Sequence, residues 1–214
     1  TSTPRPTPQS RLPNDTYYAG YQWNLRHINL PQAWSLSVGS PDILVAVVDT
    51  GIDAGHPDLA GKVVGGYDFI NGDGDPSDDQ GHGTHVAGII AAATNNNRGI
   101  AGVAWNAQLL SVKALNQDGE GPVSVIASGI IYAADQGADI INLSLGSEQT
   151  NMALQSAIVH AYNAGALLVA AAGNSYQEGN PVIYPAAHSH VLAVGATGDA
   201  DEHAAYSQTG PYVD

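Results

Sequence analysis

Five stretches of the chain are nearly continuous runs of apolar residues. DILVAVVDT (42–50) is rich in Val and Ile, the pattern of a strand buried on both faces rather than one. QLLSVKAL (108–115), ADIINLSLG (138–146), ALLVAAAGN (166–174) and VLAVGAT (191–197) have the same character. Three longer segments between them read as helices: 81–94, 122–137 and 151–165. Pro122 opens the second, and Gly137 and Gly165 close the second and third, the expected asymmetry of helix ends. The alternation predicts an α/β, three-layer fold: a mostly parallel sheet with helices on both faces. Such sheets bind ligands beyond the carboxyl ends of their strands. Three of the predicted strands end there in polar or glycine-rich signatures, VVDTG, NLSLG and AAAGN.

Composition narrows the picture further. Four prolines in the first thirteen residues disfavour helix. Residues 1–13 read as a stiff polar arm and 14–214 as one domain. With 20 Asp+Glu against 6 Lys+Arg, the formal charge is −14. That argues against nucleic acid and anionic membrane as partners, and it suits bound cations or simple solubility. There is no cysteine, so thiol and disulfide chemistry are excluded. No apolar run reaches the roughly 18 residues of a membrane span, and the first residues do not read as a signal peptide.

Asp49 ends an apolar strand, where a carboxylate needs a cation, an imidazole or a capping role. His82 stands between two glycines in DDQGHGTHVAGI (78–89), which lets another backbone come close. His85 lies one turn on and reads as a core histidine. A metal pair is disfavoured, because the spacing is H-G-T-H rather than H-E-x-x-H. Asn174, after Gly173, either turns the chain or donates to an oxyanion. DFINGDGDPSDD (68–79) sets oxygen side chains at 68, 71, 73, 75 and 77, which suits a calcium loop or a solvated acidic loop.

The order VVDTGID, GHGTHVAG, AAAGN resembles the subtilisin-like serine proteases. HPDLAGKVVGGYDF and IYAADQGA bring the chain close to the thermitase branch of that family. The resemblance runs from about Leu12 to the last residue and implies a subtilisin-like fold. It implies that Asp49 orients His82, that His82 acts as general base and then acid, and that Asn174 donates to the oxyanion. It implies a protein or peptide substrate lying extended between two edges, Gly119-Glu120-Gly121 and Ser144-Leu145-Gly146, with the glycines leaving room for its backbone. Glu120 then favours basic side chains a few residues before the scissile bond. Two calcium sites are implied, one from Asp68, Asn71, Asp73 and Asp75. The other uses the side chains of Asp15, Asp58 and Asn96 with the carbonyls of Ala93, Arg98 and Ile100. A weak third cation site falls near Asp214.

One feature departs from the family pattern. The G-T-S-M-A-x-P stretch that carries the nucleophile is not found in residues 1–214. Ser144 matches a substrate edge and Ser175 follows the oxyanion asparagine. The expectation is a catalytic domain incomplete at its C-terminus, with a complementary C-terminal segment supplying the serine. Two function classes stand: a secreted endopeptidase, or a subtilisin-fold protein without a nucleophile that binds peptide or assembles with a partner.

Overall fold

The computed structural model describes residues 11–214, so residues 1–10 of the arm expected at 1–13 lie outside the described residues. Residues 11–13 lie against the body. Arg11 donates its backbone N–H to the Pro31 carbonyl, its guanidinium stacks over the Trp105 ring, and Pro13 is buried.

Among the described residues, six strands form one sheet: β1 (Leu44–Asp49), β2 (Val63–Asp68), β3 (Gln108–Lys113), β4 (Ile140–Leu143), β5 (Leu167–Ala171) and β6 (Val191–Val194). Their order across the sheet is β2-β3-β1-β4-β5-β6, and every pairing is parallel. Three longer helices, α4 (His82–Ala91), α5 (Val123–Asp135) and α6 (Met152–Asn163), cover it. Short helices α1 (Tyr18–Tyr21), α2 (Trp23–His27) and α3 (Leu30–Ala33) pack in a separate cluster around Trp34 and Trp105.

Alternation along β1 sets the layers. Val45 and Val47 pack with Ala87 and Ala91 of α4 on one face. Ala46 and Val48 pack with Ile130 of α5 and Ile158 of α6 on the other. Successive strand residues point to opposite faces, so a strand that is apolar at every position has two apolar faces to bury. Truncating a side chain as enclosed as Ile130 to alanine costs about 2–5 kcal/mol. The helix on the first face is made of small residues: Gly83, Ala87, Gly88 and Ala91 are its buried positions.

The expected strands and helices are present, each trimmed by a few residues at the ends. Pro122 is the residue just before α5, not inside it. Strand β2 was not expected. Its sequence VVGGYD carries two glycines, which dilute the strand signal, and its register with β3 shifts between Val63 and Gly65.

Candidate active site

Because the sheet is parallel, the carboxyl ends of β1, β4 and β5 open on one side. Asp49 ends β1, Ser144 follows β4, and Asn174 lies three residues beyond β5. Asp49 shares its face of β1 with Val45 and Val47, the face that α4 covers. Its carboxylate therefore meets the first residue of α4, which is His82. His82 Nδ1 lies 2.7 Å from Asp49 Oδ1 and 2.9 Å from Oδ2. Asp49 is wholly buried, whereas the His82 side chain is 44% exposed. One ring edge is thus held by a buried carboxylate while the ring itself reaches the surface.

Burial pushes the Asp49 carboxyl above its ordinary value, and hydrogen bonds from His82 and the Thr50 N–H pull against that shift. Thr50 ties the pair into the fold. Its N–H donates to Asp49 Oδ1 at 2.7 Å, and its hydroxyl donates to Asp78 and accepts from the Gly83 N–H. The close approach of two backbones next to His82 is real. A Cβ on Gly83 would collide with the Gly51 carbonyl and crowd Asp49, so only glycine lets α4 start here.

Two residues that the sequence reading passed over complete this frame. Asp78 accepts hydrogen bonds from the N–H groups of Gln80, Gly81 and Thr84 and from the Thr84 hydroxyl. It thereby caps α4, whose own N-cap, Gly81, has no side chain to do so. Burial raises its carboxyl, but these bonds outweigh burial and lower it to about 2. An anion is also favoured at a helix N-terminus by the helix dipole. Lys113, 1% exposed, donates to the Thr50 carbonyl at 2.7 Å, the Leu115 carbonyl at 3.1 Å and Asp79 Oδ1 at 2.6 Å. A lysine at the end of an apolar run, with an acid in the His82 loop, was the available signal for that pair.

His82 opens on a cleft of about 720 Å³. Gly119, Glu120 and Gly121 line it, as do Ser144, Leu145 and Gly146, so both segments border the same cleft as His82. Apolar lining comes from Val123, Ile126 and Leu154, and the acidic side chains of the lining are Asp118 and Glu120. The glycines need correction. A Cβ on Gly121 would strike the Ala114 carbonyl, and one on Gly146 would approach Ile183 to 2.5 Å. Glycine at both positions makes room for the protein itself. Asn174 is exposed, and its side chain has no hydrogen-bond partner among the described residues. His85 is not a core residue: it is exposed, on the side of α4 turned away from the sheet.

The candidate calcium ligands fall into two unlike groups. Asp15 and Asp58 are 5% and 4% exposed, and neither has an ion-pair partner among the described residues. Both touch the 93–100 loop. Asp15 Oδ2 accepts from the Asn95 N–H, and Asp58 accepts from the Asn96 side-chain amide and the Ile100 N–H. The carbonyls of Asn97, Gly99 and Ala101 accept hydrogen bonds from Thr16, Tyr17 and Gln22. Those of Ala93, Arg98 and Ile100 accept none among the described residues, and neither do those of Thr94, Asn95 and Asn96. Two buried anions with no ion-pair partner, against a loop with unpaired carbonyls, offer oxygen donors of the kind a hard cation takes. The 68–77 loop is less committed. Asp68 is buried and accepts from the N–H groups of Ile70 and Asn71 and from the Asn71 amide. Asp73 and Asp75 are exposed and each caps a local turn. No group of three or more His, Cys, Asp or Glu side chains is arranged to hold a metal among the described residues. Asp214 accepts from the Ala193 N–H beside β6.

A sequence model of the subtilase family matches residues 40–214. The chain belongs to that family of subtilisin-like serine proteases. It is 50% identical over 202 residues to a thermophilic serine proteinase of Bacillus sp. (strain AK1), covering 94% of this chain and 50% of the relative. It is 48% identical over 203 residues to thermitase of Thermoactinomyces vulgaris, covering 94% of this chain and 71% of thermitase. The crystal structure of a cold-adapted subtilisin-like serine proteinase superimposes with a TM-score of 0.73 at 35% identity, covering 83% of this chain and 63% of that one. The chain thus spans about half the length of the first relative and under three quarters of the second.

Proposed function

We propose that residues 1–214 supply the acid, base and oxyanion donor of a serine endopeptidase whose nucleophile is carried by sequence outside this range. The observation that carries the reading is the His82–Asp49 pair, a buried carboxylate on one ring nitrogen with the ring opening onto a peptide-sized cleft. Asp49 accepts a hydrogen bond from Nδ1–H and fixes the tautomer, which leaves Nε2 free to take the proton of a serine hydroxyl. As that oxygen attacks the scissile carbonyl, the negative charge passes to the carbonyl oxygen, where the Asn174 amide donates. His82 then hands the proton to the departing amine, and water releases the acyl group by the same route in reverse. The stretch that carries the nucleophile in the family is not found in residues 1–214, which is why the nucleophile is placed elsewhere.

The cleft supports an extended peptide between Gly119-Glu120-Gly121 and Ser144-Leu145-Gly146, paired through its backbone as an added strand. Asp118 and Glu120 favour a basic side chain whose stem rests on the apolar lining. Calcium is assigned to the side chains of Asp15, Asp58 and Asn96 with the carbonyls of Ala93, Arg98 and Ile100, where it neutralises two buried anions. A second ion is assigned to Asp68, Asn71, Asp73 and Asp75, and a weaker one near Asp214. Sites of moderate calcium affinity fill outside the cell, so the protein is placed there as a secreted enzyme.

The test is active-site labelling. A fluorophosphonate probe should label one serine of the full-length gene product, outside residues 1–214, and leave the isolated 1–214 chain unlabelled. A label on a serine of the isolated chain, with peptide hydrolysis, overturns the placement of the nucleophile. A full-length product that binds peptide and takes no label overturns the endopeptidase reading.

A further inference from the structure

The turn that carries Asn174 is held by a segment 33 residues further along the chain. The residue is exposed, lies in the turn after β5, and has no side-chain partner among the described residues. Its neighbours on both sides are held by one residue, Gln208. The Gln208 N–H donates to the Gly173 carbonyl at 3.2 Å, and the Gln208 Oε1 accepts the Ser175 N–H at 2.9 Å. One step further, the Tyr176 N–H donates to the Tyr206 carbonyl at 3.0 Å.

The clamp is itself anchored. Ser207, the preceding residue, is buried, and its hydroxyl accepts the Ala196 N–H at 2.9 Å just beyond β6. Gln208 is 1% exposed. It enters this space because residue 173 is glycine: at φ +113°, a Cβ there would lie 2.6 Å from Gln208 Oε1. The other half of the amide gains nothing, since Nε2 is buried without a partner among the described residues. An unpaired buried donor costs about 1–3 kcal/mol, so packing alone favours an apolar side chain of the same shape. What explains glutamine at this position is the acceptor it offers to Ser175.

We propose that Gln208 is a positioning residue: it pins the backbone on both sides of Asn174 and so aims the Asn174 amide at the developing oxyanion. The inference rests on the reading of Asn174 as oxyanion donor. A donor acts only when held at hydrogen-bond distance from the place the charge will occupy, and a misplacement of about 1 Å can cost 10²-fold. Gln208 acts through Asn174, so its effect must vanish when the Asn174 amide is gone.

A double-mutant cycle in the full-length enzyme tests this, with activity read well below each variant's melting temperature. Asn174→Leu should lower kcat about 10²–10³-fold with little change in KM. Gln208→Met should lower kcat about 10-fold with KM nearly unchanged. Added to Asn174→Leu, Gln208→Met should lower kcat no further. If the two losses multiply, Gln208 does not act through Asn174 and the inference is overturned, while the reading of Asn174 stands. If Asn174→Leu keeps normal kcat, the reading of Asn174 falls and takes the inference with it. Gln208→Asn, which withdraws the acceptor from Ser175 but stays polar, runs through the same cycle should Gln208→Met not fold.

Discussion

His82 Nδ1 sits 2.7 Å from Asp49 Oδ1 across 33 residues of sequence, with the carboxylate fully buried and the imidazole near half exposed. The bond joins the end of a strand to the start of a helix, two rigid elements. Asp49→Asn keeps the shape but offers an amide where Nδ1–H needs an acceptor, which favours the wrong tautomer. In the full-length enzyme, kcat should fall by about 10⁴ with the fold intact. Steady-state kinetics alongside circular dichroism check this. A near-normal kcat would remove Asp49 from the mechanism.

Asp78 predicts a pH dependence of stability. Its carboxyl is lowered from 3.8 to about 2 in the folded state, with burial opposing and the hydrogen bonds of the α4 N-terminus prevailing. A folded value below the unfolded one means the charged form is bound more tightly by the native state. Its stabilisation is therefore complete above the unfolded value and drains away as pH falls from about 4 toward 2. Asp49, raised by burial, contributes with the opposite sign, so the comparison must be with a variant. Asp78→Asn should lower stability at pH 7 and lose less than the wild type between pH 4 and 2. Denaturant titrations at several pH values measure both. Parallel wild-type and variant curves would deny Asp78 this role.

Calcium should stabilise the fold through Asp15 and Asp58. A ligand that binds only the native state adds about 2.7 kcal/mol per site at 100 times its Kd. For a domain of this size that is a rise of roughly 5–10 °C in Tm. Scanning calorimetry with and without chelator should show the shift, and Asp58→Asn should abolish most of it. An unchanged midpoint on chelation refutes the assignment.

Lys113 should matter for stability because its ammonium satisfies three acceptors. Lys113→Met leaves the buried Thr50 and Leu115 carbonyls without this donor, and each such loss costs about 1–3 kcal/mol. Asp79→Asn keeps an oxygen acceptor for the ammonium and removes only its counter-charge, so its cost should be smaller. A Tm drop of roughly 5–20 °C for Lys113→Met, and a smaller one for Asp79→Asn, is the expected result. Equal drops would place the effect in the ion pair rather than in the carbonyls.

Much of this protein was legible in one dimension. The apolar runs around Val47, Leu110, Ile141 and Leu168 announce strands buried on both faces, because a strand with two covered faces needs no polar alternation. That pattern gave the parallel sheet, and the VVDTG, GHGTH and AAAGN signatures beyond the carboxyl ends of its strands pointed to Asp49, His82 and Asn174. Strand β2 escaped because VVGGYD has little apolar content to bury at a sheet edge.

What the tertiary structure alone decided are relations across distance. The parity of β1 turns Asp49 toward α4 rather than α5, and that depends on which helix covers which face. His85 was read as core from its apolar neighbours, yet α4 rests on the sheet through Gly83, Ala87 and Ala91, which leaves His85 outside. The three hydrogen bonds of the Lys113 ammonium and the grip of Gln208 on Gly173 and Ser175 leave no periodic trace. Periodicity records which face of an element is buried. The partners of a given polar atom are fixed only when segments tens of residues apart close against one another, and every buried donor and acceptor must then find one.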